Sequence, residues 1–372
     1  MYSESTLFAS GEGGYHTYRI PAIVVSAKGT IFAFCEGRKN SSSDSGDIDI
    51  VMRRSFDNGR TWDPMRVIID DGTDTAGNPA PVLDKDTGVV WMTITKNLAE
   101  GPESMIIAGK APRTAWVTYS SDDGETWAEP KEITDDVKKP SWTWYATGPC
   151  HGIQLANGRL VIPCDHVEGT DTDYSKSAHS HVIYSDNHGK TWKLGGVTQA
   201  GTNECVVVQT ILVPPSNGRT DHVPPCNGRT ENGSICLNAR NYVGAKRRAY
   251  AWSHDNGETF ANFGWYDNLV EPICQGSMIR FTDVKSHDKN RILFSNPASI
   301  NREQMTIRIS YDECHSWTDG KVLYPGPSAY SDLCIVNDMT IGCLYECGKS
   351  NPYETIKFAQ FDLEWITDGV EP

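Results

Sequence analysis

An eight-residue pattern that recurs along the chain constrains the fold more strongly than any other feature of the sequence. Its fullest form is Ser-x-Asp-x-Gly-x-Thr-Trp, and its five copies begin at Ser55, Ser120, Ser185, Ser253 and Ser310. The third copy has Asn187 in place of Asp, the fourth ends in Phe260, and the fifth has Cys314 in place of Gly. The copies start 65, 65, 68 and 57 residues apart. A mean period of about 64 residues predicts roughly six units in the chain.

Each copy predicts a strand, a tight turn and a second strand. Glycine supplies the positive φ of the turn, and the Asp carboxylate can accept hydrogen bonds from the turn's backbone. Runs rich in Val, Ile, Thr and aromatic residues flank the copies, as is typical of strands, at 48–54, 115–119, 182–184, 249–252 and 306–309. No long segment has helical periodicity. We therefore expect an all-β fold, a six-bladed β-propeller, as a single domain over residues 1–372.

Two segments depart from this rhythm. Pro214-Pro-Ser-Asn-Gly-Arg-Thr220 is echoed by Pro224-Pro-Cys-Asn-Gly-Arg-Thr230, and this composition predicts an irregular surface insertion over about 214–233. The segment from Thr355 to Ile366 is strand-like, and we expect it to complete a sheet near the N-terminus.

Charge and cysteine content narrow the class of protein. The net charge is −14, which argues against nucleic acid or an anionic membrane surface as the main partner. No apolar run approaches the roughly 18 residues of a spanning helix, so no membrane span is predicted. The 11 cysteines are scattered and form no Cys-x-x-Cys pair, which predicts buried free thiols. With no signal peptide visible, this favours a cytoplasmic location, although a removed leader would leave the same start.

Six short motifs lie between the repeats. They are Tyr18-Arg-Ile-Pro21, Glu36-Gly-Arg38 with Asp44, Asn203-Glu-Cys205, Leu237-Asn-Ala-Arg240, Arg302 to Ser310, and Tyr330-Ser331. In this order, and with repeats that match the Asp-box, they resemble the sialidase (neuraminidase) superfamily over essentially the whole chain. The resemblance implies a retaining exo-α-sialidase that hydrolyses terminal sialic acids from glycoproteins, glycolipids or oligosaccharides. It implies no cofactor and no metal.

The resemblance further implies that Arg19, Arg240 and Arg302 bind the carboxylate of the sugar. A guanidinium is permanently charged, and its planar set of donors matches a carboxylate. Arg308 is a rival for the third position, and the spacing to the fifth repeat favours Arg302.

Three more positions follow from the resemblance. Arg38 is expected near the carboxylate or the sugar's substituents, and Glu346 is expected to orient Arg19. Gln275 is expected near the glycerol side chain of the sugar. The aromatic residues within 142–145, Trp142, Trp144 and Tyr145, form either an aglycone platform or part of the core.

The resemblance also assigns the chemistry. Tyr330 matches the family's nucleophile, and a phenol suits an anomeric carbon that bears a carboxylate, because an anionic Asp or Glu would be repelled. A free phenol has a pKa of about 10 and needs a base, which Glu204 is expected to be. Asp44, in a loop rich in Ser and Gly, is the expected acid/base that protonates the leaving oxygen and then activates water. Asp47 and Asp49 are nearby alternatives.

Other functions would use the same residues. A trans-sialidase would transfer the sugar to an acceptor hydroxyl, and a KDN-preferring sialidase would favour the deaminated sugar. A sialic-acid-binding lectin would keep the arginines without turnover, and an Asp-box scaffold would serve protein interaction. The presence of Tyr330, Glu204 and Asp44 argues against the lectin, and the three arginines argue against the scaffold.

Overall fold

The computed structural model describes residues 1–211 and 233–371. Within this part of the chain there are 24 strands and four short helices, which confirms the all-β class. The strands form four sheets, and none of these sheets closes on itself. The predicted insertion at about 214–233 lies outside the described residues except for Gly233, and Cys226 lies outside them as well.

Two sheets come from the first half of the chain. The larger has eight strands: β2 (Thr17–Val25), β3 (Ile31–Arg38), β4 (Ile48–Ser55), β5 (Arg66–Ile69), β6 (Thr75–Leu83), β7 (Val90–Asn97), β8 (Arg113–Ser120) and β9 (Lys131–Glu132). The second has five: β10 (Trp142–Thr147), β11 (Ile153–Gln154), β12 (Leu160–Glu168), β13 (Ala178–Ser185) and β14 (Lys193–Val197). Neighbouring strands are antiparallel, except that the pairing of Ile48 with Thr75 joins β4 to β6 in parallel.

The other two sheets come mostly from the second half. One has four strands: β15 (Thr202–Thr210), β16 (Ser234–Asn241), β17 (Arg247–Ser253) and β18 (Ala261–Val270). The other has seven: β1 (Tyr2–Ala9), β19 (Ser277–Thr282), β20 (Arg291–Pro297), β21 (Glu303–Ser310), β22 (Lys321–Asn337), β23 (Thr340–Cys347) and β24 (Thr355–Asp362). The helices are α1 (Glu103–Ile107), α2 (Thr134–Val137), α3 (Tyr174–Ser177) and α4 (Leu363–Thr367).

The first and last strands pair with each other. β24 runs antiparallel to β1, from Tyr2 opposite Phe361 to Ala9 opposite Thr355. The strand expected from Thr355 is therefore present, beside the N-terminal strand, and it gives way to α4 after Asp362. β22 is 17 residues long, and its first part pairs with β21 while its second part pairs with β23. One strand thus belongs to two successive groups of strands.

The strand register separates the repeats from the predicted site residues. Ser55, which opens the first repeat, pairs with the first residue of β3, and Arg38 is the last residue of that strand. Ser253 pairs near the start of β16, and Arg240 lies near the end of that strand. We call the two extremities of the strands the repeat ends and the site ends.

Each repeat forms a turn that its own side chains close. In the first repeat, Asp57 accepts hydrogen bonds from the Thr61 N–H (2.8 Å) and the Thr61 hydroxyl (2.6 Å). The same pattern recurs in the repeats that open at Ser120, Ser253 and Ser310. In the third repeat, the Asn187 amide accepts from the Thr191 N–H and donates to the Thr191 hydroxyl, both over 2.9 Å. An amide therefore replaces the carboxylate without loss of the two contacts.

The glycine of the repeat is explained by both backbone and packing. Gly59 has a φ of +81°, and a Cβ there would come within 2.4 Å of the Phe358 ring. Cys314 takes the same place in the fifth repeat with a φ of 71°, a region that side chains disfavour. Its buried thiol lies 3.8 Å from Met278 Sδ. The fifth turn thus accepts a side chain because its neighbours leave room for one.

Buried aliphatic and aromatic side chains from all four sheets make up the core. The repeat aromatics pack onto it, as in the edge-on contact of Trp62 with Phe358 (ring centres 5.1 Å apart). All ten cysteines in the described residues are buried and free, as predicted. In residues 1–211 and 233–371, no helix is long and apolar enough to cross a bilayer.

Candidate active site

Three arginines meet around one tyrosine at the site ends. Arg19 comes from β2, Arg240 from β16, and Arg302 from the turn before β21. The Cζ atoms of Arg19 and Arg302 lie 5.1 and 5.4 Å from the centre of the Tyr330 ring. Arg240 Nη1 donates a hydrogen bond to Tyr330 Oη over 3.1 Å. The fold therefore brings together four residues that the sequence predicted to act on one sugar.

Tyr330 and Glu204 form the centre of this site. Tyr330 Oη donates to Glu204 Oε1 over 2.5 Å, and Arg240 Nη1 lies 2.8 Å from Glu204 Oε2. Only 5% of Tyr330 and 8% of Glu204 is exposed. Burial raises the pKa of Tyr330 well above its ordinary value, the charge of Glu204 raises it further, and Arg240 opposes both. The phenol is therefore neutral, with its proton directed at a carboxylate.

One buried carboxylate holds both an arginine and the tyrosine. Glu346 Oε1 accepts from Arg19 Nε (2.8 Å) and from the Ile20 N–H (2.9 Å). Glu346 Oε2 accepts from the backbone N–H of Tyr330 (3.1 Å). Ile20 has a φ of 60°, which is rare for a β-branched residue and persists only where surrounding contacts hold it. Glu346 thus makes the predicted contact with Arg19 and a second contact that the sequence did not predict.

Asp44 lies on the loop between β3 and β4, beside two arginines. Its Oδ1 is 2.7 Å from Arg38 Nη2 and 4.0 Å from Arg19 Nη1, and its side chain is 65% exposed. Desolvation acts to raise the pKa of Asp44, but the charges of Arg38 and Arg19 outweigh it and lower the pKa. Asp44 is consequently an ionised carboxylate while no sugar is bound.

A second buried carboxylate holds Arg38. Glu36 Oε2 accepts from Arg38 Nε (3.0 Å) and Nη2 (2.6 Å). Arg38 Nη1 donates to the carbonyl oxygen of Ser42 (2.6 Å), in the same loop as Asp44. The loop is therefore tied to Arg38 through its backbone as well as through the carboxylate of Asp44.

The rival residues considered from the sequence have other partners. Asp47 and Asp49 both pair with Lys39, at 2.8 and 3.1 Å. Arg308 donates to Asn296 Oδ1 (3.2 Å), between the adjacent strands β20 and β21. Asp44 and Arg302, by comparison, lie beside Arg19 and the Tyr330 ring respectively, and the choice between the rivals stays a prediction.

The side chain of Gln275 is used inside the protein. Its amide nitrogen donates to the carbonyl oxygens of Ser331 (2.9 Å) and Pro149 (3.3 Å), and its amide oxygen accepts from the Ser331 N–H (3.0 Å). Only 1% of the residue is exposed. Gln275 therefore fixes β22 next to the tyrosine, and its contact with the sugar's glycerol chain stays a prediction.

The aromatic cluster divides between the core and the site. Trp142 and Tyr145 are 4% and 0% exposed, as core residues are. Trp144 is half-buried, and the Cζ atom of Arg113 lies 4.0 Å from its ring centre. The core interpretation therefore applies to the first two residues, and Trp144 extends towards a further buried arginine.

Polar residues that the sequence predictions missed support Arg240. Arg240 Nε donates to Asn203 Oδ1 (2.8 Å), and Asn203 Nδ2 donates to Asp165 Oδ1 (3.0 Å). Arg240 Nη2 donates to Tyr242 Oη (2.7 Å). Burial, followed by the charge of Glu204, raises the pKa of Asp165 well above its ordinary value. Asn203 could have been found because it precedes Glu204 in a motif, whereas Asp165 and Tyr242 carry no such signal.

One group of side chains in the described part of the chain has the spacing of a metal site. Asp84, Asp86 and His188 offer ligand atoms that lie within 4.8 Å of one another. The group lies at the repeat ends, since His188 belongs to the third repeat. Asp84 already accepts from Gln154 Nε2 (3.0 Å) and the Thr87 hydroxyl (2.6 Å). These bonds account for the buried carboxylate without a cation.

Comparison with known proteins places the chain in a family. The family model described as a BNR repeat-like domain matches residues 29–343. An exo-alpha-sialidase of Aspergillus fumigatus is 31% identical over 391 residues, which cover 96% of this chain and 86% of that protein. The chain belongs to the sialidase family. This sialidase-family chain is a glycoside hydrolase, and it is also 31% identical to Sialidase-3 of Mus musculus, with 96% and 94% of the two chains covered.

Solved structures agree with the sialidase family. The Hadza microbial sialidase Hz136 has a TM-score of 0.80 and 29% identity, over 98% of this chain and 69% of that one. The intramolecular trans-sialidase from Ruminococcus gnavus, in complex with oseltamivir carboxylate, has a TM-score of 0.72 and 18% identity, over 99% of both chains. The second likeness concerns the fold alone. The family expected from the motifs is therefore confirmed.

Proposed function

We propose that the protein is a retaining exo-α-sialidase that uses Tyr330 as its nucleophile. The observation that carries this proposal is the 2.5 Å hydrogen bond from Tyr330 Oη to Glu204 Oε1, beside Arg19, Arg240 and Arg302. A tyrosine with a carboxylate partner is the sialidase exception to the usual pair of catalytic carboxylates. The substrates are sialylated glycans, and the sugar's carboxylate is the feature that the site selects.

The three arginines bind that carboxylate. Glu346 and Glu204 each lie against one of them, at 2.8 Å in both cases, and the remaining positive charge faces the sugar. A local cationic site in a protein with a net charge of −14 accepts only the anionic end of a substrate. Two hydrogen bonds to Glu36 fix the side chain of Arg38, which we expect to lie near the sugar's carboxylate as well.

In the first step, Tyr330 attacks the anomeric carbon. The phenolic proton passes to Glu204, and the phenolic oxygen forms a bond to that carbon. The bond from the carbon to the aglycone oxygen breaks, its electron pair stays on the oxygen, and Asp44 supplies the proton that makes it a hydroxyl. A neutral phenol can approach beside the sugar's carboxylate, whereas an anionic nucleophile would be repelled.

In the second step, water replaces the tyrosine. Asp44 accepts a proton from water, and the water oxygen forms a bond to the anomeric carbon on the face that the aglycone left. The bond to Tyr330 breaks, and the phenolate takes its proton back from Glu204. Two displacements at one carbon give net retention of configuration.

Asp44 must be protonated for the first step, and substrate binding supplies the reason. In the free site, Arg38 and Arg19 lower its pKa. A bound sugar carboxylate neutralises part of that positive charge, so the pKa of Asp44 rises when the substrate arrives. Binding of the correct anion thus prepares the acid.

We also infer that the strands form six blades of one propeller domain. The pairings support six successive groups: β2–β5, β6–β9, β10–β14, β15–β18, β19 to the first part of β22, and the second part of β22 to β24 with β1. The site residues come from several of these groups. A single domain is the simplest arrangement that brings all of them to one end.

The test compares the wild type with Tyr330→Phe on two fluorogenic α-sialosides, the N-acetyl and deaminated (KDN) forms, without added metal. We expect release by the wild type alone, and the two rates rank the sugars. A fluorinated sialic acid that traps the covalent intermediate should label the peptide that contains Tyr330, as measured by mass spectrometry. Lactose added as an acceptor separates transfer from hydrolysis. Binding of both sugars without release would overturn the hydrolase in favour of a lectin.

A further inference from the structure

Tyr353 lies between two of the site arginines and contacts both. The Cζ atom of Arg19 lies 4.0 Å from the centre of its ring, and Arg302 Nη1 donates to its hydroxyl oxygen over 2.7 Å. The other amino group of Arg302 donates to the carbonyl oxygen of Ile273 (3.0 Å). The half-buried ring packs against the same small cluster as the Tyr330 ring.

The loop that carries Tyr353, between β23 and β24, is held by its own hydrogen bonds. The Glu354 carboxylate accepts from three successive backbone N–H groups, over 2.9, 2.9 and 3.0 Å, those of Lys349, Ser350 and Asn351. Asn351 Oδ1 accepts from the Tyr353 N–H (2.9 Å), and the Ser10 hydroxyl donates to the Tyr353 carbonyl (2.7 Å). The backbone on both sides of Tyr353 is therefore fixed before a substrate binds.

A tyrosine suits this place because it offers two contacts in perpendicular directions. Two guanidinium groups that converge on one carboxylate repel each other while the site is empty. The negative face of the ring attracts Arg19, and the hydroxyl oxygen in the plane of the ring accepts from Arg302. Each contact acts on one cation, so a single rigid ring sets the distance between the two.

We infer that Tyr353 is a positioning residue that fixes the spacing of Arg19 and Arg302 and so sets how strongly the site prefers a free carboxylate to its ester. This inference rests on the proposed function, because it assigns both arginines to the sugar's carboxylate. The carboxylate is bound in the ground state and in the transition state alike. Loss of the ring's contacts should therefore raise KM and leave kcat almost unchanged.

The test uses the full chain and two variants of Tyr353. Tyr353→Phe keeps the ring and removes the acceptor, and Tyr353→Leu removes both contacts. We expect KM for a fluorogenic α-sialoside to rise roughly tenfold in the first and roughly a hundredfold in the second, with kcat within about twofold. Tyr324→Phe is the matched control, because its hydroxyl donates to the Gly348 carbonyl (2.8 Å) at the base of the same loop. Its KM should equal that of the wild type.

Binding without turnover gives the second measurement. Calorimetric titration with a methyl α-sialoside and with its C1 methyl ester, carried out in the Tyr330→Phe background so that the glycoside is not hydrolysed, measures the preference for the free acid. We expect this preference to fall about tenfold in Tyr353→Phe and further in Tyr353→Leu. If the leucine variant does not fold, the phenylalanine variant decides the matter. Wild-type values of KM and of the acid-to-ester ratio in Tyr353→Phe would overturn the inference, as would a loss confined to kcat. A wild type that neither binds nor hydrolyses the sialosides would instead overturn the proposed function.

Discussion

The turn of a repeat and the candidate site are closed by hydrogen bonds that span very different distances in sequence. At a repeat end, Asp255 accepts from the N–H of Thr259, four residues away, over 2.9 Å. At the site ends, the bond between Tyr330 and Glu204 joins residues 126 positions apart. A repeat turn can form from its own eight residues, whereas the site exists only after distant strands have met. Under the proposed function, we expect the repeat ends to serve stability and the site ends to serve activity.

Charge is also controlled differently at the two ends. Hydrogen bonds from the Thr126 side chain and backbone lower the pKa of Asp122 to about 2. At the site ends, burial is the largest influence, and it raises the pKa of both Tyr330 and Asp165. Exposed local bonds thus favour the ionised form, while burial favours the neutral form and makes these groups sensitive to their neighbours.

Removal of the phenolic oxygen should have the largest effect of any single change. We expect Tyr330→Phe to lower kcat about 10⁴-fold, because the bond to the anomeric carbon can no longer form. The unfolding temperature should change by no more than about 2 °C, since the ring stays in place. Steady-state kinetics and thermal unfolding check both values, with Tyr324→Phe as the control. A kcat within tenfold of the wild type would contradict the assignment.

Glu346→Gln should have the second largest effect on activity. This change weakens the hydrogen bonds that hold Arg19 and the backbone of Tyr330. We expect kcat/KM to fall about 100-fold, through changes in both KM and kcat. Glu313→Gln is the matched control at a repeat end, where a buried carboxylate accepts from Arg280 Nη1 (2.9 Å). That variant should lower the unfolding temperature with little change in kcat/KM. If both variants lost activity equally, the contrast between the two ends would be wrong.

Acid should lower the stability of the folded protein, because two buried histidines near the site are neutral in the folded state. His166 and His181 lie with their Nδ1 atoms 3.0 Å apart, and burial lowers the pKa of both rings, that of His181 from 6.5 to about 3. Both rings are therefore neutral in the folded protein, whereas below a pH of about 6.5 the unfolded chain binds protons that the folded protein does not. Stability is lost as the pH falls below that value, by roughly 1.4 kcal/mol per unit for each ring.

Unfolding temperatures measured between pH 7.5 and pH 4.5 test this expectation. His181→Asn should reduce the slope of unfolding temperature against pH, and substitution of the exposed His315 by Asn should not. An unchanged slope in His181→Asn would show that other groups govern the acid limit.

A change confined to a repeat should have the smallest effect on activity. We expect Asp255→Ala to lower the unfolding temperature by a few degrees, because the carboxylate closes the turn, and to leave kcat within about twofold. Asn187→Asp, which restores the repeat's usual residue, should shift the unfolding temperature by about one degree or less, since the amide already makes both contacts with Thr191. Loss of activity in Asp255→Ala at an unchanged unfolding temperature would contradict the division.

The two ends also differ in how far the sequence predicts them. The repeats made the fold class and the turns predictable, because their hydrogen bonds are local and their residue types recur. Tyr330, Glu204 and the arginines could be named only through motifs shared with a family, since no local pattern brings them together. The choice of Arg302 over Arg308 rests on the spacing to the fifth repeat and stays a prediction, although Arg302 lies beside the Tyr330 ring while Arg308 donates to Asn296.

Contacts between residues that are distant in the chain could not be predicted from the sequence. Tyr353 carries no motif, and its contact with Arg302 spans 51 positions and depends on the fold. Gln275 was predicted to lie near the sugar, and nothing in the sequence indicated that its amide would also bond to the backbone of Ser331 and Pro149. The sequence shows that a polar residue is present, but tertiary packing determines which strand its side chain contacts.

The shared anchor at Glu346 limits how such a site can evolve. One carboxylate holds Arg19 and the backbone of Tyr330, so, under the proposed function, a single substitution there alters both the binding of the sugar's carboxylate and the position of Tyr330. Selection cannot improve one of these properties through Glu346 while it leaves the other alone. Under the proposed function, a lineage that needs a different affinity would change a residue such as Tyr353, which contacts Arg19 and Arg302, whereas the backbone of Tyr330 is held by Glu346.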